Sequence, residues 1–464
     1  MTAATTPFSE DLIRRYDVSG PRYTSYPTAD RFVEAFSEAE YTQALTLRKS
    51  GLVSKKLPLS LYVHIPFCES LCYYCACNKI ITKHHDRAAK YLRYLTREVD
   101  LHAAILGTGQ PVSQLHLGGG TPTFLTDDEL RELMAMLRRN FSFTPGGEYS
   151  IEVDPRTIDV KRLDTLAELG FNRLSFGVQD FDPAVQKAMH RMQPAEQVFA
   201  LVKAARERYF DSINVDLIYG LPMQSPESFD RTLAQINELR PDRIALYAYA
   251  HLPERFKPQR RIDSLELPSA SAKVSMLSHS MVSLVKAGYV YVGMDHFALP
   301  NDALAVAKRQ GRLHRNFQGY STQPDCDLIG LGVSSIGRIG ATYSQNAKSV
   351  EEYYGYLDQG RFPVVRGLAL SRDDMIRRAV IMALMCQGQV TFESIELAFL
   401  IEFKTYFAVE LEALYKLEEQ GVVVLEASGI QVTEVGWFFV RAVAMVFDKY
   451  LQTDLNRARF SKII

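Results

Sequence analysis

Four of the six cysteines fall in one short stretch, Tyr62-Val-His-Ile-Pro-Phe-Cys-Glu-Ser-Leu-Cys-Tyr-Tyr-Cys-Ala-Cys77, at Cys68, Cys72, Cys75 and Cys77. Thiolates packed this tightly are suited to metal binding. A structural zinc site normally uses two separated Cys-x-x-Cys knuckles, so that four ligands can surround one ion tetrahedrally. Here Cys75 and Cys77 are so close that placing both on one tetrahedral ion with Cys68 and Cys72 would strain the loop. The gaps read as three ligands plus one thiol left over. Three thiolates on a cubane iron–sulfur cluster leave one iron open to a substrate or cofactor. Tyr73 and Tyr74, with the apolar flank Ile65, Pro66 and Phe67, would screen such a cluster from water. A zinc-stabilised structural module and buried free thiols are the competing readings.

The elements that must position this loop follow a regular alternation from Leu61 onward. β-rich runs are 61–65, 114–117, 149–153, 173–178, 212–218 and 243–248. Helical periodicity covers 88–106, 127–140, 159–169, 195–208 and 226–239 between them. Strands alternating with helices predict an α/β protein with a parallel sheet built from right-handed units. The sheet is either open and doubly wound or curled into part of a barrel, and functional residues collect where strands end. The cysteine loop follows the first strand and Gly118-Gly-Gly-Thr-Pro122 the second. Glu152 and Asp154 end the third, Gln179 and Asp180 the fourth, Asp216–Pro222 the fifth, and Tyr247–His251 the sixth.

Outside this core, residues 1–56 read as an N-terminal arm, with the turn-rich Ser19-Gly-Pro-Arg-Tyr-Thr-Ser-Tyr-Pro-Thr28 and a helix over 38–48. Its aromatic residues, Tyr23 and Tyr26, predict that the arm folds over the barrel mouth, since apolar area left in solvent is wasted. Residues 57–368 read as a catalytic domain, the barrel core over about 60–255 plus an extension. Within the extension the Gly-rich run Leu328–Gly337 looks like a loop or strand held close to a ligand or another backbone. Residues 369–464 read as a small helical, winged-type domain, with helices over 373–385, 402–420 and 434–450 and a hairpin over 422–432.

Composition bounds the function. With 464 residues, 47% hydrophobic and 23% charged, the chain is typical of a soluble multidomain protein. The balance of 53 basic against 54 acidic residues, net −1, argues against nucleic acid as a partner. No run of about 18 apolar residues predicts a membrane span. The first residues have neither a basic nor an apolar signal region, so the expected location is cytoplasmic, where clustered thiols stay reduced.

Cys-x-x-x-Cys-x-x-Cys after a first strand, followed by Gly-Gly-Gly-Thr-Pro after the second, resembles the radical S-adenosylmethionine enzymes. That resemblance implies a partial (β/α)6 TIM-like barrel and a 4Fe-4S cluster whose open iron binds S-adenosylmethionine, cleaved on reduction to methionine and a 5′-deoxyadenosyl radical. Pro21–Thr28, Tyr62–Cys68, Cys77, Gly177–Phe181, Ala250–Pro253, Gly293–Phe297, His314–Tyr320 and Phe460–Ile464 together resemble the oxygen-independent coproporphyrinogen III oxidases. This narrower resemblance implies Cys68, Cys72 and Cys75 as cluster ligands and Cys77 as a nearby catalytic thiol. It implies Tyr62, Gly119, Glu152, Gln179, Arg191 and Asp216 around one S-adenosylmethionine. Tyr74, Gly120, Thr121, Ala250, Gln318 and Ile336 are implied around a second. Arg191 would neutralise a carboxylate in a bidentate fork.

The implied reaction converts two propionates of coproporphyrinogen III to vinyl groups, giving protoporphyrinogen IX. The β-carbon C–H is far too weak an acid for a side-chain base, so a carbon-centred radical is the suitable abstractor. The substrate's carboxylates call for cations, and Arg22, Arg260, Arg261 and Arg315 are the candidates. A reduced flavodoxin- or ferredoxin-type electron donor and a monomeric state are also expected. The main alternative is a haem chaperone sharing the radical core without oxidase activity. Cys77 and the Pro-Arg-Tyr-Thr-Ser-Tyr arm weigh against it. A nucleic-acid-modifying radical enzyme is disfavoured by the charge balance.

Overall fold

The computed structural model describes Leu12, Arg15, Tyr16 and residues 18–51 and 57–452; the block 460–464 lies outside them. Six strands, β1 (Leu59–Ile65), β2 (Gln110–Gly119), β3 (Phe141–Val153), β4 (Arg173–Gln179), β5 (Ser212–Tyr219) and β6 (Arg243–Ala248), lie side by side in chain order. Every neighbouring pair among them is parallel. The crossovers carry helices Asp86–Leu106, Asp127–Asn140, Arg162–Glu168, Ala195–Glu207 and Pro226–Leu239.

Strand alternation explains why this sheet both folds and works. Leu61, Val63 and Ile65, then Leu115 and Leu117, Ile151 and Val153, Phe176, Val215 and Leu246 are at most 2% exposed. They share one apolar cluster with Leu95, Leu133, Leu201 and Leu233 of the helices. Each such side chain contributes roughly 1.5–3 kcal/mol by burial. The intervening residues point to the other face. There Tyr62 pairs in register with His116, His116 with Ser150, Glu152 with Ser175, and Ser175 with Asn214. One face is therefore oil and the other a polar basin.

The sheet continues past both ends of this unit. β7 (Val290–Gly293) and β8 (His296–Ala298) extend it antiparallel beyond β6. On the other side β9 (Leu328–Leu331) pairs parallel with β1, followed by antiparallel β10 (Ile336–Ile339), β11 (Thr342–Asn346) and β12 (Val364–Ala369). The order is β12-β11-β10-β9-β1-β2-β3-β4-β5-β6-β8-β7, and β7 and β12 do not pair with each other. The (β/α)6 unit is thus the curved centre of an open sheet. In the Gly-rich run it is backbone that approaches: a Cβ on Gly330 would lie 2.6 Å from the Ile336 carbonyl oxygen.

The N-terminal segment is bound at two places. Helix Glu38–Ser50, started by a Ser37/Glu40 capping box, buries Tyr41 and Leu45, and Tyr41 Oη lies 2.8 Å from His102 Nε2. Upstream, Tyr23 donates to Asp448 at 3.0 Å and Arg441 Nε to the Pro21 carbonyl at 3.1 Å. Tyr23 and Tyr26 are fully buried, so the aromatic arm is packed and not waving in solvent.

Past helix Arg372–Gln387, the continuous helix expected over 402–420 is divided into Phe403–Tyr406 and Ala408–Glu419 at Phe407. The break lets both Phe403 and Phe407 bury completely, Phe403 stacking on Phe392 at 4.4 Å. The span 434–450 likewise breaks into Gly436–Phe439, Val440–Met445 and Lys449–Gln452, where Asp448 restarts the chain by accepting from the Tyr450 and Leu451 amides. The expected hairpin gains a third strand, Gln389–Thr391. Among the described residues no helix is long and apolar enough to cross a membrane.

Candidate active site

The cysteine loop folds over the carboxyl ends of the strands. Cys68, Cys72, Cys75 and Cys77 face one cavity of about 280 Å³, shared with Tyr74, Gly119, Gly120, Thr121, Glu152, Gln179, Arg191 and Asp216. A second cavity, of about 440 Å³, is bordered by Tyr62, His64, His116, Gln318 and Ile336. Cys77, Gly119, Glu152 and Tyr247 belong to both. This grouping cuts across the expected division. Tyr62 faces the barrel basin with Gln318 and Ile336, whereas Tyr74, Gly120 and Thr121 lie with the cysteines. Ala250 borders neither cavity; its carbonyl accepts from Gln259 Nε2 at 3.2 Å, and the same amide donates to the Tyr74 carbonyl at 3.1 Å.

Backbone shape brings these elements together. Gly120 follows β2 where Pro66 and Phe67 pass, and a Cβ there would lie 2.7 Å from the Phe67 carbonyl oxygen. The Gly119 amide donates to Glu152 Oε2 at 3.1 Å, and His116 Nε2 lies 3.3 Å from Glu152 Oε1. Asp216 accepts from Asn214 Nδ2 at 2.8 Å and from Ser175 at 3.4 Å. Burial, reinforced by the charge of Glu152, pushes Asp216 up to about 7. His64 Nε2 lies 2.9 Å from the Asn78 carbonyl, which can only accept, so that nitrogen carries the proton. His64 Nδ1 is then the acceptor for the Tyr62 hydroxyl at 3.1 Å.

Charge is concentrated around Cys72. Arg156 Nη2 and Arg191 Nη1 lie 3.4 and 3.5 Å from its sulfur. Both arginines also hold Asp154; although burial opposes ionisation, they keep it down at about 2. A hydrogen bond with Cys77 draws Cys75 below the usual thiol range. Burial and the neighbouring Cys75 and Cys72 push Cys68 up to about 12, a strain that a coordinated cation would relieve.

These residues fit an iron–sulfur cluster with an attached cofactor. All six cysteines are free of disulfides. Among the described residues no three His, Cys, Asp or Glu side chains converge on one point as the ligands of a single ion would. Cys68, Cys72 and Cys75 share the wall of one cavity, where three thiolates could meet a cluster held in it. Beside them Gln179 is 8% exposed, and its Oε1 has no hydrogen-bond partner among the described residues. It is an acceptor suited to an ammonium or hydroxyl group.

Residues 62–236 match the model of the Radical SAM superfamily, and residues 370–439 that of the HemN C-terminal domain. The chain is 51% identical to the oxygen-independent coproporphyrinogen III oxidase of Pseudomonas aeruginosa, over 99% of both chains. It is 49% identical to that of Escherichia coli K12, over 98% of both. It belongs to the oxygen-independent coproporphyrinogen III oxidase family. The solved coproporphyrinogen III oxidase (HemN) from Escherichia coli, described as a radical SAM enzyme, superposes with a TM-score of 0.90 at 48% identity, covering 96% of this chain and 100% of that one.

Within this oxidase-family fold the candidate arginines separate. The Arg22 guanidinium lies 5.0 Å from the ring centroid of Tyr247, which borders both cavities, and pairs with Asp295. Arg315 is 5% exposed, with Nε 3.2 Å from the Arg22 carbonyl and Nη1 lacking a partner among the described residues. Arg260 and Arg261 are exposed; none of the four arginines itself borders either cavity. Residues missed from the sequence are His64, His116, Arg156, Ser175 and Asn214. A period-two reading of the strands would have found four of them: His64 shares a face with Tyr62, His116 with Gly118, Ser175 with Gly177, and Asn214 with Asp216.

Proposed function

We propose that this chain carries out the oxygen-independent oxidation of coproporphyrinogen III to protoporphyrinogen IX in haem biosynthesis. Two propionates are each converted to a vinyl group with loss of carbon dioxide, a hydrogen atom and an electron. Cys68, Cys72 and Cys75 hold the 4Fe-4S cluster, and the observation that carries this reading is their shared cavity, walled by Gln179, Arg191 and Glu152. When bound, the cluster and S-adenosylmethionine supply the carbon-centred radical that an unactivated C–H requires.

The chain's own groups bind and orient. Gln179 offers its free acceptor and Glu152 a carboxylate fixed by the Gly119 amide, both suited to an amino group or ribose hydroxyls. The second cavity, with Tyr62, Gln318 and Ile336, supports a second S-adenosylmethionine, and Cys77 stands at the junction. Arg22 and Arg315 near Tyr247 support capture of substrate carboxylates, with the packed arm excluding water. Reduced thiols and a low-potential donor such as a flavodoxin or ferredoxin fit the cytoplasm.

An anaerobic assay with coproporphyrinogen III, S-adenosylmethionine and dithionite tests the proposal. Two carbon dioxide molecules per protoporphyrinogen IX are expected, with methionine and 5′-deoxyadenosine. Protein with full iron and sulfide content that forms no vinyl product would refute it.

A further inference from the structure

Three arginines meet where the N-terminal arm crosses the mouth of the barrel, and two of them hold its main chain. Arg441, 4% exposed, donates through Nε to the Pro21 carbonyl at 3.1 Å and through Nη2 to the Gly20 carbonyl. Arg315 Nε donates to the Arg22 carbonyl at 3.2 Å. The backbone of 20–22 is thus fixed without help from the Arg22 side chain, which pairs instead with Asp295. That pair differs in kind from the buried ion pairs of the fold. Its side chains are 33% and 23% exposed, against 3% and 4% for Arg48 and Asp327. Water competes for both partners, so the contact adds little to stability and is easily exchanged.

Asp295 is held as firmly as the arm. Met294 and Asp295 form the two-residue loop between β7 and β8, with φ of 44° and 69°, the left-handed pair that such hairpins favour. The Leu246 amide donates to the Asp295 carbonyl at 2.8 Å, fixing the loop to β6 beside Tyr247. Asparagine suits this turn as well as aspartate does, so the backbone does not call for the charge. What the charge does is keep Arg22 back. The guanidinium lies 5.0 Å from the ring centroid of Tyr247, which borders both cavities, yet Arg22 itself borders neither. To meet a carboxylate inside, it must leave Asp295.

We propose that Asp295 is a specificity-determining residue, an internal carboxylate that occupies Arg22 until a substrate propionate takes its place. The inference rests on the reading of Arg22 as a partner for a substrate carboxylate. No covalent bond changes: one carboxylate replaces another on the same guanidinium, and Asp295 is left to water at the mouth. Charge decides the exchange. A propionate offers Arg22 what Asp295 offered, whereas a vinyl or alkyl group offers nothing and leaves the Arg22–Asp295 pair intact. Conversion of that propionate to a vinyl group returns Arg22 to Asp295 and loosens the spent ring.

The test measures binding of coproporphyrinogen III and of protoporphyrinogen IX by anaerobic equilibrium dialysis. The proteins are cluster-reconstituted wild type, Asp295→Asn, Arg22→Gln and the double variant, with iron and sulfide content and thermal unfolding checked for each. Asp295→Gly repeats the measurement with a second residue that the positive φ accepts. In Asp295→Asn no pair has to be broken. Its dissociation constant for coproporphyrinogen III should fall at least about threefold, with KM lowered and kcat not raised. Its dissociation constant for protoporphyrinogen IX should stay within about 1.5-fold of wild type, since the converted rings carry no charge. In the Arg22→Gln background the same substitution should have no effect, because Asp295 acts through Arg22.

An equal gain in affinity in the Arg22→Gln background would reduce Asp295 to a merely repelling charge and overturn the proposal. Weaker binding in Asp295→Asn would make it a brace for Arg22 and overturn the proposal too, as would unchanged binding. If Arg22→Gln alone binds coproporphyrinogen III like the wild type, the reading of Arg22 as a carboxylate partner fails and the proposal with it. That failure is told apart because it appears with Asp295 untouched.

Discussion

Arg191 holds Asp154 with both arms of its guanidinium, Nη1 to Oδ2 and Nη2 to Oδ1, each at 3.2 Å. The fork expected for a cofactor carboxylate is therefore engaged by the chain's own residue, and Arg191 Nη1 also lies 3.5 Å from Cys72 Sγ. Arg156 grips the same carboxylate, its Nη2 donating at 2.7 Å. Two cations share one carboxylate, leaving a net positive charge against the cysteine loop. That charge suits thiolates and an anionic ligand alike.

Arg191→Lys tests this arrangement. An ammonium is a point charge that cannot span both Asp154 oxygens while reaching Cys72. Iron and sulfide content should be retained, with S-adenosylmethionine affinity falling at least about tenfold in equilibrium dialysis. Unchanged affinity would mean that Arg191 only braces Asp154.

Asp216 is predicted to be a stability liability retained for function. Its folded pKa of about 7 lies above the ordinary value of 3.8, because of burial and the charge of Glu152. Between those values the unfolded chain ionises and the folded one does not, so stability falls as pH rises and levels off above 7. Asp216→Asn removes this fall. Urea unfolding should show equal stability near pH 4 and a variant more stable by up to roughly 4 kcal/mol at pH 8, with product formation lost. A variant less stable at pH 8 would contradict the assignment.

The sequence was most legible where structure is set locally. Helix Asp127–Asn140 starts at the Thr126/Glu129 capping box, and Pro226–Leu239 at Ser225 with proline in its first turn; both bounds were readable. The strand-end residues Glu152, Gln179 and Asp216 were readable because the βα pattern fixes which ends gather. What stayed hidden depends on distant partners. The flank β9–β12 exists because Gly330 lets β10 approach, and the break at Phe407 because its ring completes a core made by Phe392 and Phe403. Which cavity each residue borders was not legible, because that depends on how the cysteine loop and the 332–336 segment fold over the strand ends.

Cys77 and Cys75 should separate cleanly. Cys77 is exposed and borders both cavities, whereas Cys75 is half-buried in the loop. Cys77→Ser is expected to assemble wild-type iron and sulfide but to impair product formation. Cys75→Ser should lose the cluster, as measured by iron and sulfide content and the visible absorbance of reconstituted protein. Loss of iron in Cys77→Ser would make it a ligand; undiminished product formation would remove it from the reaction.

Glu98 is expected to control the second cavity from beneath. It is 1% exposed on helix Asp86–Leu106 and accepts from the Gly332 amide at 2.7 Å, Asn346 Nδ2 at 2.6 Å and the Tyr353 hydroxyl at 2.6 Å. Tyr91 adds a fourth tie, accepting from the Val333 amide at 2.9 Å and donating to the His64 carbonyl at 2.7 Å. Residues 332–336, which bring Ser334, Ser335 and Ile336 to that cavity, are therefore held from one side by this helix and from the other by the end of β11, where the Ser334 amide donates to the Ala347 carbonyl at 2.7 Å. Glu98→Gln turns an acceptor into a donor facing other donors, with an expected loss of about 1–3 kcal/mol. Tyr353→Phe removes one donor, and the two substitutions together should destabilise less than the sum of each alone, because they break the same bond. Equilibrium dialysis of the cluster-loaded Glu98→Gln protein should show S-adenosylmethionine stoichiometry below that of the wild type. Full additivity with unchanged stoichiometry would show that the 332–336 segment holds its shape without Glu98.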